Sequence, residues 1–132
     1  MKQVDTKNCI MQLEQDLLQV YFKPGKVDLE DAKHIVSTRR ELIGEQKVYM
    51  VVYDQGVTKL TRSARNYFAS FEGTDGVDAA AFVINRQFTK IMVNYLLKVS
   101  KPNKPAKMFV SENKAIEWLK KQKELVDQEN FN

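Results

Sequence analysis

The residues best suited to binding chemistry lie in one turn that follows a predicted buried strand and opens a predicted helix. Asp54 ends the strand, and Thr61 and Ser63 bring hydroxyls to the first turn of the helix. Arg62 and Arg65 place positive charge beside those hydroxyls. Ligands of open α/β sheets collect outside the carboxyl ends of strands, and helix N-termini offer free N–H groups to anions. These five residues are our candidate contact site for a ligand or protein partner, although capping and solvated charge would account for the same pattern.

The remaining chemistry-bearing residues do not predict catalysis. The sequence contains no P-loop, dinucleotide-binding glycine motif or nucleophile-elbow motif. Its single histidine, His34, falls off the apolar stripe of a predicted helix, and its single cysteine, Cys9, falls on the inward face of a predicted strand. Asp28 and Asp31 sit in a first helical turn, where the helix dipole explains them. We therefore expect no enzyme activity, no metal site and no cofactor.

Length and composition indicate one ordinary globular domain covering residues 1–132, with a core over about 8–125. The chain has 132 residues, of which 43% are hydrophobic and 29% charged. One cysteine excludes an internal disulfide. No apolar run approaches the roughly 20 residues of a transmembrane helix, and the N-terminus lacks a secretory pattern. We expect a cytoplasmic protein without a transmembrane segment.

The basic excess of the chain is concentrated in one stretch. Residues 85–123 hold ten lysines and arginines against two glutamates, within a net charge of +4 for the whole chain. Nearly all of these cations are lysines dispersed between apolar stripes, which is typical of a solvated face. Phosphate-binding proteins more often add arginine forks and exposed aromatics. Binding of nucleic acid or an anionic membrane through 85–123 is therefore the weaker alternative.

Hydrophobic periodicity predicts the elements that position these residues. Alternation at Cys9, Met11 and Leu13, followed after Gln15–Asp16 by a second alternating run to Phe22, predicts an antiparallel hairpin. Helical spacing with Asp28 as N-cap and Gly44 after the end predicts a helix over Leu29–Ile43. The apolar run 47–53 predicts a strand buried on both faces.

The second half of the chain continues the same alternation. Thr61 is expected to cap a helix that carries Phe71 on its apolar stripe and closes at Gly73. The run 78–84 predicts a strand, and Asn85 can cap a helix with its apolar stripe over 88–99. A strand over 107–110 and a helix capped by Ser111 follow, before a polar tail, 127–132, that should fray. The order β-β-α-β-α-β-α-β-α predicts a single α/β domain with a largely parallel sheet, an antiparallel N-terminal strand and four helices.

Three strings give this sequence a family resemblance over about residues 8–120. DQGV at 54–57, SARNYFAS at 63–70 and AIEWL at 115–119 resemble a small, uncharacterised bacterial family of STAS-like domains. The resemblance implies the fold of anti-sigma-factor antagonists, in agreement with the element order. It also implies a non-enzymatic regulator switched by phosphorylation of a serine at the start of the second helix, for which Ser63 is the positional match. The sequence has TRSA at 61–64 where those regulators carry an aspartate, serines and glycine.

The leading hypothesis is a non-enzymatic regulatory or protein-interaction module with an unidentified protein partner. The first alternative is a small-molecule or lipid-binding domain that uses the loops after the strands. The second alternative is weak binding to nucleic acid or an anionic surface through the lysine-rich stretch. Formation of a homodimer stays open, because STAS-like folds often dimerise.

Overall fold

A six-stranded mixed sheet forms the centre of the molecule in the computed structural model, which describes residues 1–84 and 104–131. A further two strands form a small parallel sheet of their own. In chain order the elements are β1 (Lys2–Asp5), β2 (Cys9–Glu14), β3 (Leu17–Phe22), β4 (Gly25–Val27), α1 (Leu29–Ile43), β5 (Val48–Asp54), β6 (Val57–Leu60), α2 (Arg62–Ala69), β7 (Val77–Val83), β8 (Ala106–Phe109) and α3 (Glu112–Phe131).

The large sheet has the spatial order β1-β2-β3-β5-β7-β8. Strand β2 runs antiparallel to both of its neighbours, whereas β3, β5, β7 and β8 are parallel to one another. This confirms a largely parallel sheet with an antiparallel N-terminal strand. The small sheet pairs β4 with β6 and lies outside the order expected from the sequence.

Helix α1 has the predicted bounds because both of its ends carry strong signals. The carboxylate of Asp28 accepts a hydrogen bond from the backbone N–H of Asp31 at 2.9 Å, and the carboxylate of Asp31 accepts one from the N–H of Asp28 at 3.0 Å. The hydrogen bond from Asp28 also lowers the pKa of Asp31. At the other end Gly44 has a φ of 63°, a conformation that glycine adopts readily.

Several sequence expectations need correction. Helix α2 ends at Ala69 rather than continuing to Gly73, so Phe71 is 83% exposed instead of lying on the apolar stripe. The cause is Ser70, which leaves the helical conformation, donates from its hydroxyl to the Tyr67 carbonyl at 2.6 Å and accepts from the Gly73 N–H at 3.0 Å. Strands β1, β4 and β6 are too short to give a periodic signal and were not expected.

The C-terminal third of the chain brings further differences. Strand β8 ends at Phe109, which leaves Val110 outside it and 84% exposed. Helix α3 continues through Phe131, beyond the point where the polar tail was expected to fray. The described residues hold three helices where four were expected, because the predicted helix after Asn85 lies outside the described residues.

Two apolar layers cover the faces of the sheet. On one face α1 and α2 pack over the inward side chains of β2, β3 and β5, including Cys9, whose thiol pKa is raised by burial. On the other face α3 packs through Ala115 and Leu119 against Ala79 and Ala81 of β7. Across the described ranges, no helix combines the length and apolarity that a membrane span requires.

The capping box makes a stability prediction for α1. Replacement of Asp28 by alanine should lower the free energy of unfolding by about 1 kcal/mol, because the N–H of Asp31 loses its acceptor. Urea denaturation followed by circular dichroism measures the change. Glu41→Ala, at an exposed position of the same helix, is the matched control and should leave stability nearly unchanged. Equal losses in both variants would contradict a role for the cap.

Candidate functional site

A partly open cavity of about 100 Å³ lies between the sheet and the helices α1 and α2. Its described lining is almost entirely apolar, with side chains from the sheet such as Met11, Val52 and Phe82. Helix α2 contributes Phe68, and Pro105 contributes from the residues directly before β8. A further three lining residues carry charged side chains: Arg39, Asp54 and Lys104.

Asp54 lies at the end of β5, as the sequence predicted, but it faces the interior. Its side chain is only 3% exposed. One carboxylate oxygen, Oδ1, accepts hydrogen bonds from the backbone N–H groups of Gly56 at 3.0 Å and Val57 at 2.9 Å. Asp54 therefore shapes the turn from β5 into β6 and presents a carboxyl group to this end of the cavity.

Gly56 is required in that turn for conformational and steric reasons. Its φ is 138°, and a Cβ at this position would come within 2.9 Å of the Pro24 side chain. The Gly56 carbonyl also accepts a hydrogen bond from the N–H of Gly25 at 3.1 Å, where β4 begins. The close approach of the two loops is what brings β4 and β6 together.

Arg39 brings a second charged group to the cavity, from α1. Its side chain is 3% exposed, and Nη2 donates to the carbonyl oxygens of Gly73 at 2.8 Å and Asp75 at 3.1 Å. Burial lowers the pKa of Arg39 to about 10, with the nearby negative charge of Asp75 opposing the shift. Because Gly73 and Asp75 directly precede β7, Arg39 lies near the end of the sheet where the parallel strands begin, opposite Asp54.

The other four predicted site residues share the first turn of α2 and do not line the cavity. Thr61 is the N-cap, its Oγ1 accepting from the N–H of Ala64 at 3.2 Å and lying 3.3 Å from the Ser63 hydroxyl. Arg65 donates from Nη1 to the Leu60 carbonyl at 3.0 Å. Arg62 and Ser63 are exposed. The structure thus separates the predicted set into a surface group and the buried Asp54.

Arg39 was missed from the sequence although a signal was present. It lies four residues after Ile35 and three after Val36, so it falls on the apolar stripe of α1. A charged residue on such a stripe predicts a buried charge with a specific role. His34, one turn away from this position, is exposed as expected. Within residues 1–84 and 104–131, no cluster of three His, Cys, Asp or Glu side chains could hold a metal ion.

The lysine-rich stretch is described only from residue 104 onward. Lys107 lies 5.5 Å from the ring centre of Phe109, and Lys123 forms an ion pair with Asp16 at 2.7 Å. That ion pair raises the pKa of Lys123. Lys107 and Lys123 thus contact side chains of the protein itself. These contacts do not favour nucleic-acid binding by the lysine-rich stretch.

The chain matches a protein family over residues 11–123, and the family is described as a domain of unknown function, DUF7793. The chain belongs to this family. A solved structure with a similar fold is an uncharacterised DUF3478-family protein of Shewanella loihica PV-4, described as having a SpoIIAA-like fold. The identity is 14% and the TM-score 0.56, with 84% of this chain and 91% of that chain covered. No curated protein matches this DUF7793 sequence.

The SpoIIAA-like neighbour supports the expected STAS-like fold and says nothing about the site. At 14% identity the likeness extends to the architecture of the sheet and helices alone. The DUF7793 match covers both Arg39 and the segment from Asp54 to Arg65. The features that bear on the function of this chain are therefore its own cavity and surface.

The contacts of Asp54 predict a graded effect of substitution. Asp54→Ala should lower the free energy of unfolding by about 3 kcal/mol, because two buried N–H groups lose a carboxylate acceptor. Asp54→Asn keeps an oxygen for the same two donors and should cost clearly less. Urea denaturation followed by Trp118 fluorescence measures both. Similar losses in the two variants would mean that Asp54 does not stabilise the protein by accepting hydrogen bonds from the N–H groups of Gly56 and Val57.

Proposed function

We propose that this DUF7793 chain is a non-enzymatic module that binds a small, largely apolar molecule in the cavity between the sheet and α1–α2. The observation that carries the proposal is the cavity itself, with its apolar lining and its few buried charged groups. Ligand sites are typically concave and apolar with a small number of polar groups that orient the ligand. The SpoIIAA-like neighbour supports a STAS-like fold as the scaffold for this site.

The volume restricts the size of the ligand. An engineered protein cavity of about 150 Å³ binds benzene. A cavity of about 100 Å³ is therefore matched to a small ring or a short aliphatic chain, with somewhat larger molecules requiring side chains to shift. Protein interiors are close-packed, so apolar side chains that line such a space lack some of the contacts that packed side chains make. Occupation by an apolar molecule would recover the missing contacts.

Binding without catalysis is supported by the chemistry of the lining. Among the described lining residues, Thr74 carries the single hydroxyl, and that hydroxyl donates to the Ser70 carbonyl at 2.9 Å. The described lining includes no histidine or cysteine. A nucleophile paired with an adjacent base, which covalent catalysis needs, is not part of this set.

The cavity also offers a route by which a ligand could regulate a partner. Phe68 and Ala69 of α2 line the cavity, and the first turn of the same helix carries the exposed Arg62 and Ser63. A ligand that moves α2 would therefore change the surface that a protein partner contacts. The regulatory role expected from the sequence and ligand binding in the cavity are therefore compatible in one module.

Filling the cavity from β7 is the direct test. Ala80 lines the cavity, and Ala80→Leu should abolish the binding of toluene or 1-hexanol while leaving stability unchanged or raised. Ala79→Leu is the matched control, since Ala79 lies on the opposite face against α3. We expect the control to lose about 2 kcal/mol from overpacking and to keep the ligand. Methyl NMR shifts of Met11 and Met50, both in the lining, report binding; unshifted methyls in the wild type at saturating probe would overturn the proposal.

A second candidate function is protein docking at the first turn of α2. It is favoured by the exposure of Arg62 and Ser63 beside the Thr61 hydroxyl, on a helix start that accepts negative charge. A phosphate on Ser63 would add charge to this turn and alter docking, as in the STAS-like regulators that the sequence resembles.

The docking surface makes its own prediction. In-cell crosslinking to the full chain should give a band for a protein partner, and Arg62→Glu should remove that band. The control Lys33→Glu, a charge reversal at an exposed position of α1, should leave the band in place. Intact-mass analysis of the native protein should show a phosphorylated fraction that Ser63→Ala lacks. A crosslinking pattern that is the same in all three proteins would reject docking at this turn.

A further inference from the structure

We propose that the cavity ligand is a monocarboxylate and that Arg39 binds its carboxylate group. The inference rests on the proposed ligand-binding function and specifies the chemical class of the ligand. It is drawn from a buried cation that lines an apolar cavity and that keeps unused hydrogen-bond donors.

The hydrogen bonds of Arg39 are incomplete. A guanidinium group has five N–H donors, in a planar fork that matches a carboxylate. Within the described part of the chain, both hydrogen bonds of Arg39 leave from Nη2, and Nε is buried with no hydrogen-bond partner. Leaving a buried donor unsatisfied is unfavourable, and a carboxylate on the ligand would supply the acceptor.

The charge of Arg39 is also incompletely balanced by the protein. Asp75 is the acidic residue that most affects Arg39, but its carboxylate pairs with Arg40, whose Nε lies 3.4 Å from Asp75 Oδ2. Toward Arg39, Asp75 presents its backbone carbonyl instead. Even with its pKa lowered to about 10, Arg39 is charged at neutral pH. Within the described residues, no carboxylate forms a hydrogen bond with the Arg39 guanidinium that lines the cavity.

The two ends of the cavity differ in what they accept from a ligand. At the Arg39 end the protein offers donors and positive charge. At the opposite end the Asp54 carboxylate is an acceptor for two backbone N–H groups, so a second ligand carboxylate would meet acceptors there. Apart from Lys104, the rest of the described lining carries no charge, and Val52 and Ile35 are among its apolar members. This arrangement fits one carboxylate followed by a short aliphatic chain or a ring.

The test compares carboxylates with alcohols of the same shape. Isothermal titration at pH 7.5 of the full chain with hexanoate, benzoate, 1-hexanol and benzyl alcohol gives the four dissociation constants. We expect each carboxylate to bind at least tenfold more tightly than its alcohol. Arg39→Met should remove this preference, Arg39→Lys should retain part of it, and Lys33→Met, a charge removal at an exposed position of α1, should retain all of it.

The outcomes separate this inference from the proposed function. Alcohols that bind as tightly as the carboxylates would leave the apolar cavity site standing and overturn the role of Arg39. Binding of neither class would overturn both. The Arg39 Nε–H resonance provides a readout that does not depend on the variants folding: hexanoate should shift it and 1-hexanol should not. An unshifted Nε–H at saturating hexanoate would overturn the inference.

Discussion

The burial of β7 on both faces is the constraint on which the rest of this structure depends. Its residues Ala79, Ala80 and Ala81 alternate between the faces, and methyl side chains alone cannot fill the layer on either side. On one face α3 packs Ala115 and Leu119 against Ala79 and Ala81. On the other face Ala80 lines the cavity, where the same small side chain leaves space instead. One run of alanines thus gives a packed layer and a cavity on opposite sides of a single strand.

The parts of the fold that the sequence predicts well are those in which periodicity and end signals agree. Helix α1 satisfies this condition, since its helical spacing is bounded by Asp28 and Gly44. The β2–β3 hairpin was predicted from alternation alone, because Gln15–Asp16 is not a strong turn pair. The β4–β6 sheet could not be predicted, because strands of three and four residues have no period and their pairing depends on tertiary contact. The end of α2 was placed wrongly since Ser70 competes for the backbone before Gly73 is reached.

The candidate site was predictable in part for a similar reason. The end of β5 is a feature of chain order, so Asp54 could be placed there, and Thr61 could be recognised as a cap. Arg39 could have been recognised as a buried charge from its place on the apolar stripe of α1, but its two carbonyl partners, Gly73 and Asp75, depend on tertiary contact. The sequence could not predict the spatial separation between the first turn of α2 and the cavity residues Asp54 and Arg39. The structure separates the exposed turn of α2 from the cavity, and it leaves α2 itself as the physical link between them through Phe68.

The charge of Arg39 needs an explanation beyond its contacts with the protein. Holding the carbonyls of Gly73 and Asp75 requires N–H donors, and a neutral amide side chain can provide those without removing a charge from water. Burial of a guanidinium is costly, and two carbonyls with the nearby charge of Asp75 offset that cost less fully than a hydrogen-bonded anion does. A purely structural tether would therefore be better made by an uncharged residue. An anion bound in the cavity, as we propose, would make the positive charge of Arg39 favourable.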